Sequence, residues 1–399
     1  MKTYDAVIIG GGISGMSLAH QCAKAGLSTA VLEKAERTGG SFHSHSFEGE
    51  GGFWIELGAH TCYNSYGSLV ELIEERGLLD KLVPREKVPF KLLVDGNVKS
   101  IPSRLSFPEL MLHVPRMFGA KKEGETMSSY YSKILGSRNY KNVFGPVFDA
   151  IISQDASGFP ADALFKKRPR RQDVLKSFTL TRGLQTITDA VAADPAIDVF
   201  TGIDAQAVEY SGGRFRVGAG GEAFEARYLG VATPPPAAAK LLAYAFPELS
   251  AHLSKIKLGT VETVGVALGK KQVHLPPLAG LIASGDSFFS SVTRDTVKDE
   301  NYRGFAFHFR PGLLDFGSKM RRISEVLGVA NGQIEHVVIK NDNCVPSLSL
   351  GHGAWLAGTE GLTAGKPLML TGNYFSGVAI EDCVARSKGE FARVKALPQ

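Results

Sequence analysis

The chain has 399 residues, of which 44% are hydrophobic and 21% charged, and a formal net charge of +5. That length buries a large core and ordinarily divides into two domains or one elaborated one, while the composition excludes a disordered or fibrous chain. The basic excess is modest and comes with no nucleic-acid-binding motif, and no apolar run is long enough to cross a bilayer, so neither nucleic acid nor a spanning helix is expected.

The first element is a buried strand at Val7, Ile8 and Ile9, followed by a helix from Ser14 to Ala25 that ends at Gly26. Gly10, Gly12 and Gly15 therefore fall on a strand-to-helix turn. Residues without a Cβ there let the chain bend sharply, let backbone approach a pyrophosphate, and let helix pack against strand. The phosphate charge faces the free N–H groups of the helix N-terminus. A second apolar run, STAVLEK, closes on Glu33, whose carboxylate suits ribose hydroxyls and repels a 2′-phosphate, so a dinucleotide other than NADP is expected. The strand begins almost at the N-terminus, so no signal peptide is expected, and the expected compartment is cytoplasmic.

Further along, Gly52 to Thr61 alternates large apolar residues and ends in a glycine corner, and Tyr66 to Gly77 reads as a helix. From about Lys87 to Arg171 the text changes to prolines, aromatic residues and helical stretches, as an inserted domain would. The dinucleotide domain resumes at Ser177 to Ala193, and short strands with glycine-rich turns run from Ile197 to Pro235. A second excursion, from about Lys257 to Val338, mixes strands with one helix. Leu368 to Val394 then supplies a strand, a second glycine turn at Gly372, Asn373 and Gly377, and a long terminal helix. The N-terminus of that helix suits negative charge on a bound group.

The expected fold is α/β: a Rossmann-like dinucleotide-binding domain (1–86, 177–256 and 339–399), whose run from Glu33 to Gly40 resembles the FAD-binding domain of the glutathione reductase type and so implies FAD, with an inserted α+β substrate domain (87–176 and 257–338). Cys22, Cys62, Cys344 and Cys383 are scattered and read as structural thiols. His43 and His45 lack a third partner, so no metal site is expected. The basic cluster Lys166, Lys167, Arg168, Arg170 and Arg171 reads as solvated surface or as a contact for substrate carboxylates. Phe107 to Lys122 joins apolar to basic residues, and reads either as a partly buried helix with a solvated loop or as a surface resting on anionic lipid, peripheral on the inner face of the membrane. Phe90, Phe107, Tyr130, Tyr131 and Phe159 supply aromatic mass, for a core or for an apolar pocket.

The run from Glu33 through Lys34, Arg37, Gly39 and Gly40 resembles the extension of flavoproteins of the glutathione reductase and amine oxidase type, where an arginine and two glycines add a second phosphate clamp; it implies FAD. GNYFSGVAIEDCVARS resembles the C-terminal signature of protoporphyrinogen oxidase and its relatives in the flavin amine oxidase superfamily. VPSLSLGH, GFWIELGAHT and SFTLTRGLQTI are similar to further motifs of that family. The resemblance implies FAD contacts at Gly10, Gly11, Gly12, Ile13, Ser14 and Gly15, at Glu33 and Ser41, at Gly58, Ala59, His60 and Thr61 beside the isoalloxazine, at Ala205 for adenine, and at Gly372, Asn373, Val378, Ala379 and Ile380 under the pyrimidine. It implies dehydrogenation of a large, mostly apolar, porphyrinogen-like substrate, with oxygen or a quinone-linked acceptor taking the electrons. No acid–base dyad is needed, and His60 is the candidate to assist proton removal. Amine oxidation, carotenoid-type desaturation, a redox-neutral mutase and a non-catalytic FAD scaffold are the alternatives.

Overall fold

The computed structural model describes residues 1–47 and 52–398. Its first sheet has seven strands, in the order Ile197–Phe200, Thr29–Leu32, Lys2–Ile9, Glu222–Val231, Arg214–Ala219 and Ala205–Ser211, with Leu368–Leu370 pairing alongside Glu222–Val231. Lys2–Ile9 runs parallel to both of its neighbours, and its Ala6–Ile9 half is buried, as a continuous apolar run between helix layers must be. The first helix spans Ile13–Lys24. It ends because Gly26 takes φ +78°, which lets the Leu27 and Gly26 N–H groups cap the carbonyls of Cys22 and Ala23 at 3.1 and 2.9 Å. Against it lies the C-terminal helix Ile380–Lys395, and Met16, Leu18, Ala19 and Cys22 share a core with Val384 and Val394. Burial pushes the Cys22 and Cys383 thiols up to about 12.

A second seven-stranded sheet carries, in order, His336–Ser347, Lys257–Gly269, Tyr302–Phe309, Phe288–Thr293, Gly280–Ala283, Phe90–Val94 and Asn97–Ser100. All pairs are antiparallel except Gly280–Ala283 with Phe90–Val94. The helix Phe316–Leu327, capped by Asp315 through a 2.7 Å bond from the Ser318 N–H, covers one face. Three strands depart from the expected organisation. Phe90–Val94 and Asn97–Ser100 form a hairpin where loops and helices were expected, its turn made by Asp95 and Gly96 at φ +50° and +73°. His336–Ser347 crosses the expected boundary between 338 and 339, because it pairs along its length with Lys257–Gly269 and so belongs to the second sheet.

The two sheets meet where Trp54–Glu56 passes beneath the second one. Ile55 and Leu57 pack with Ala267 and Ala306, and Gly304 makes room for Ile55: a Cβ on Gly304 would stand 2.3 Å from the Ile55 Cγ2. Helices such as Met127–Leu135 and Gly145–Ile152 fill the inserted region. Among the described residues no helix is long and apolar enough to cross a membrane. Since overpacked cores lose about 1–3 kcal/mol, Gly304→Val is expected to destabilise the protein by at least that amount, read as a lowered denaturant midpoint. A variant as stable as the parent would contradict the close approach at this seam.

Candidate active site

Three turns converge at the carboxyl ends of the parallel strands. In the first, Gly10 takes φ +102°, and a Cβ on Gly15 would stand 1.8 Å from the Gly10 carbonyl oxygen, so the turn cannot close around a larger residue. Gly12 differs: an added Cβ there meets nothing nearer than 3.9 Å. The backbone at Gly12 therefore faces open space at the start of a helix, where N–H groups lack intrahelical partners. Glu33 ties this end together, its carboxylate accepting the Gly11 N–H at 2.6 Å and the Ala35 N–H at 2.8 Å. Two acceptor oxygens with these two bonds keep lone pairs free for ribose hydroxyls. The Ile203 N–H reaches the Glu33 carbonyl at 3.0 Å, which brings the Ala205 segment to the same end.

The second turn, Gly39 and Gly40, rests on the first: the Gly39 N–H bonds the Gly11 carbonyl at 2.8 Å. Arg37 builds this turn. Its guanidinium donates to the carbonyls of Thr38, Gly40 and Phe42 at 2.8 to 2.9 Å, so it holds the loop in place where a direct phosphate clamp was expected. Lys34 is exposed at its margin. Ser41 then supports the third segment, accepting the Ala59 N–H at 2.9 Å, while Gly58 packs on the Ser41 carbonyl.

The C-terminal turn reaches the same place. The Ser387 hydroxyl lies 2.8 Å from the Ser14 carbonyl, which ties the first turn of the helix Ile13–Lys24 to the middle of the C-terminal helix Ile380–Lys395. Gly372 and Asn373 leave the strand, Tyr374 and Phe375 are buried, and Val378, Ala379 and Ile380 stay half-exposed at the helix start. The two acids of that first turn are both engaged. Glu381 caps the helix Gly67–Glu75 by accepting the Ser68 and Leu69 N–H groups at 2.9 and 3.1 Å. Asp382 accepts the Ala379 N–H and pairs with Arg168 at 2.7 Å and Lys166 at 3.5 Å. Lys166 also bonds the Ser376 carbonyl. Two members of the basic cluster thus neutralise an acid beside the turn, whereas Arg171 pairs with Asp173 and Glu74 away from it.

Gly12, Ile13, Glu33, Gly58 to Thr61 and Val378 to Ile380 on these segments are all half-exposed. His60 bonds the Thr61 hydroxyl at 2.8 Å. Burial and the neighbouring Arg85 and His308 hold its pKa down to about 3, so at neutral pH it is an uncharged imidazole and a weak base. Beside it the Asn343 amide donates to the Leu57 carbonyl at 2.9 Å and to the Thr263 hydroxyl at 3.0 Å, which in turn lies 3.0 Å from His308. Burial also lowers His308 to about 4. His43, lowered to about 3, and His45 are packed among aromatic rings. Of the aromatic candidates, Tyr130 and Phe159 lie in the core, whereas Phe90 and Phe107 are exposed, so the five line no common pocket.

Behind His60 sits a cavity with about 20 Å³ of room, sufficient for a water, lined by Trp54, Glu56, Arg85, Thr179 and Arg294. Two polar atoms facing burial without a protein partner, Thr179 Oγ1 and Arg294 Nε, suit such a water. Arg85 donates to the His60 carbonyl at 2.5 Å. Glu56 accepts the Leu184 N–H at 2.8 Å and the Ser44 hydroxyl at 2.9 Å, yet desolvation pushes it from 4.5 up to about 7. None of Glu56, Arg85, Thr263, Arg294, His308 or Asn343 was among the expected site residues. An acid between apolar residues in WIEL was the one visible signal; the others come from distant strands.

Because the native Glu56 holds its proton above the pH at which the unfolded chain loses it, stability falls as pH rises from 4.5 to about 7. The drop is on the order of 3 kcal/mol. Glu56→Gln is expected to flatten that part of the stability–pH curve in denaturant titrations, and an unchanged slope would contradict the assignment.

A model of the family described as flavin containing amine oxidoreductase matches residues 13–302. The pseudooxynicotine dehydrogenase of a Pseudomonas species is 29% identical over 233 residues, covering 49% of this chain and 44% of that protein. The mitochondrial protoporphyrinogen oxidase of Nicotiana tabacum is 26% identical over 247 residues, 47% of each chain. The chain thus spans less than half the length of these curated relatives. In fold it is similar to a crystal structure provisionally described as a protoporphyrinogen oxidase, from Exiguobacterium sp. 255-15, with a TM-score of 0.78, 19% identity and coverage of 99% and 98% of the two chains. Matched over most of its length by that family model, and with a cradle open at Gly12, the chain belongs to the flavin-containing amine oxidoreductases, with FAD as its cofactor.

Proposed function

We propose that this flavoprotein dehydrogenates a large, mostly apolar, uncharged or anionic substrate of the porphyrinogen kind and passes the electrons to oxygen or a quinone-linked acceptor. One observation carries the choice over amines: the loop Gly58 to Thr61 is bordered by uncharged His60, His308, Thr263 and Asn343 with Arg85 behind them. A protonated amine would meet positive potential there and no readily ionised carboxylate, since desolvation holds the proton on Glu56 up to about 7. The C-terminal signature and the similarity to protoporphyrinogen oxidases favour the same substrate class.

FAD, when bound, supplies the two-electron acceptor for the hydride. The chain's own groups would do the rest. Gly10 to Gly15 and the Gly39–Gly40 turn would receive the diphosphate on backbone N–H groups, Glu33 the ribose hydroxyls, and Ala205 the adenine. Lys34 and Ser41 would flank the diphosphate. The helix starting at Ile380 would direct its N-terminal partial charge at the pyrimidine. Lys166 and Arg168 keep Asp382 from opposing that charge. His60, uncharged, would orient substrate through its ring nitrogens rather than remove a proton.

Two experiments test this. Gly12→Val is expected to fold, since only open space receives the side chain, and to purify colourless; a folded protein retaining stoichiometric yellow flavin would contradict the cradle. In anaerobic mixing, a porphyrinogen tetrapyrrole should bleach the flavin absorbance and a primary or secondary amine should not. Bleaching by the amine alone overturns the proposed substrate class, and turnover only after prior reduction without oxygen uptake indicates a redox-neutral mutase instead.

A further inference from the structure

The inserted region carries an apolar tip that none of the described residues covers. Phe107, Met111, Leu112, Met117 and Phe118, on the short helix Phe107–His113 and the turn Val114–Met117 that follows it, are between 49% and 84% exposed. Five large apolar side chains projecting from one surface exceed the scattered exposure usual in a monomer, and such patches mark interaction sites. High exposure of every member means that they protrude, so they are shaped to enter another phase rather than to receive a ligand.

The charge around the tip has one sign. Arg104, Arg116, Lys121, Lys133 and Arg138 are all exposed, and none has an acid within ion-pair distance among the described residues. The acid of the helix itself, Glu109, is turned inward, its carboxylate accepting the Arg138 and Asn139 N–H groups at 3.0 Å each. Glu125 is likewise engaged, with the Ser129 hydroxyl at 2.5 Å, which leaves Glu123 as the acid in solvent at the edge of the segment. Lys133 and Arg138 belong to this rim: the His113 ring bonds the Lys133 carbonyl at 3.1 Å, and Glu109 holds the Arg138 backbone.

From this arrangement we infer that the tip is a docking surface for the face of an anionic lipid bilayer, with the five apolar side chains entering the headgroup–acyl boundary and the basic rim meeting lipid phosphates. Apolar side chains with cationic neighbours and no exposed acid among them are the pattern of an interfacial anchor. Charge decides against a second copy of the chain. A two-fold contact through the tip would set five basic side chains against their equivalents on the other copy, with Glu123 as the one solvent-facing acid of the segment to meet them. The inference is independent of the substrate proposed above, since it concerns only where the protein sits.

Co-sedimentation of the flavin-loaded protein with vesicles tests it. The protein should pellet with phosphatidylcholine vesicles containing about one third phosphatidylglycerol, bind phosphatidylcholine alone much less, and be released by salt. The double variant Leu112→Glu with Phe118→Glu should lower partitioning by at least about tenfold, because two buried apolar contacts become charged. It should keep the parent's flavin absorbance and denaturant midpoint, since both side chains are exposed. Tyr244→Glu, at an equally exposed aromatic in the turn between the helices Pro235–Leu242 and Pro247–Leu253, should partition as the parent does. Equal partitioning of the double variant and the parent overturns the proposal, as does binding that ignores salt and lipid charge. A parent that is dimeric without lipid and becomes monomeric in the double variant also overturns it, by assigning the tip to self-association.

Discussion

The carbonyl oxygen of Gly10 sets the tolerance of the whole dinucleotide end. It lies 1.8 Å from where a Cβ on Gly15 would stand, so the first helix can approach the first strand only because that position carries a hydrogen. Everything downstream is stacked on this approach. The second glycine turn bonds the Gly11 carbonyl, Ser41 carries the third segment, and Ser387 joins the C-terminal helix to the Ser14 carbonyl. Backbone touches backbone at the first two of these steps, which is the geometry that exposes N–H groups to a diphosphate instead of burying them under side chains.

Charge around the site is arranged so that little of it is free. Glu381 and Asp382 stabilise the helix N-terminus they sit on, as acids in a first turn do, but each is consumed elsewhere, by the Gly67–Glu75 helix and by Arg168 with Lys166. The partial positive charge of the helix end is thereby left to act on whatever lies before Ile380. Deeper in, Glu56 and two arginines surround a water-sized cavity, and desolvation rather than pairing sets the protonation of Glu56.

The second sheet contributes to the site through neutral polar groups. Asn343, Thr263 and His308 come from three adjacent strands, and their chain of hydrogen bonds ends on the Leu57 carbonyl, next to Gly58. This coupling explains why His336–Ser347 belongs to the substrate sheet: the same strand that pairs with Lys257–Gly269 delivers Asn343 to the cofactor loop. The second sheet and the loop that begins at Gly58 therefore share one hydrogen-bonded seam.

What could be known from residue order was whatever is local. The glycine spacing of 10, 12 and 15, the carboxylate at Glu33, the double glycine after Arg37 and the GNYFSGVAIEDC turn each announce a backbone geometry within a dozen residues, and each is found at a strand end. The Asp95–Gly96 hairpin was equally local and was passed over for the prolines and aromatic residues around it. Nothing local tells that Arg37 spends its guanidinium on its own loop, that Lys166 and Arg168 cross some two hundred residues to meet Asp382, or that Arg85, Arg294 and His308 close around His60. Those are decided by tertiary structure, because a charge or hydrogen bond acts on the groups nearest in space, and only the packing of two sheets determines which groups those are.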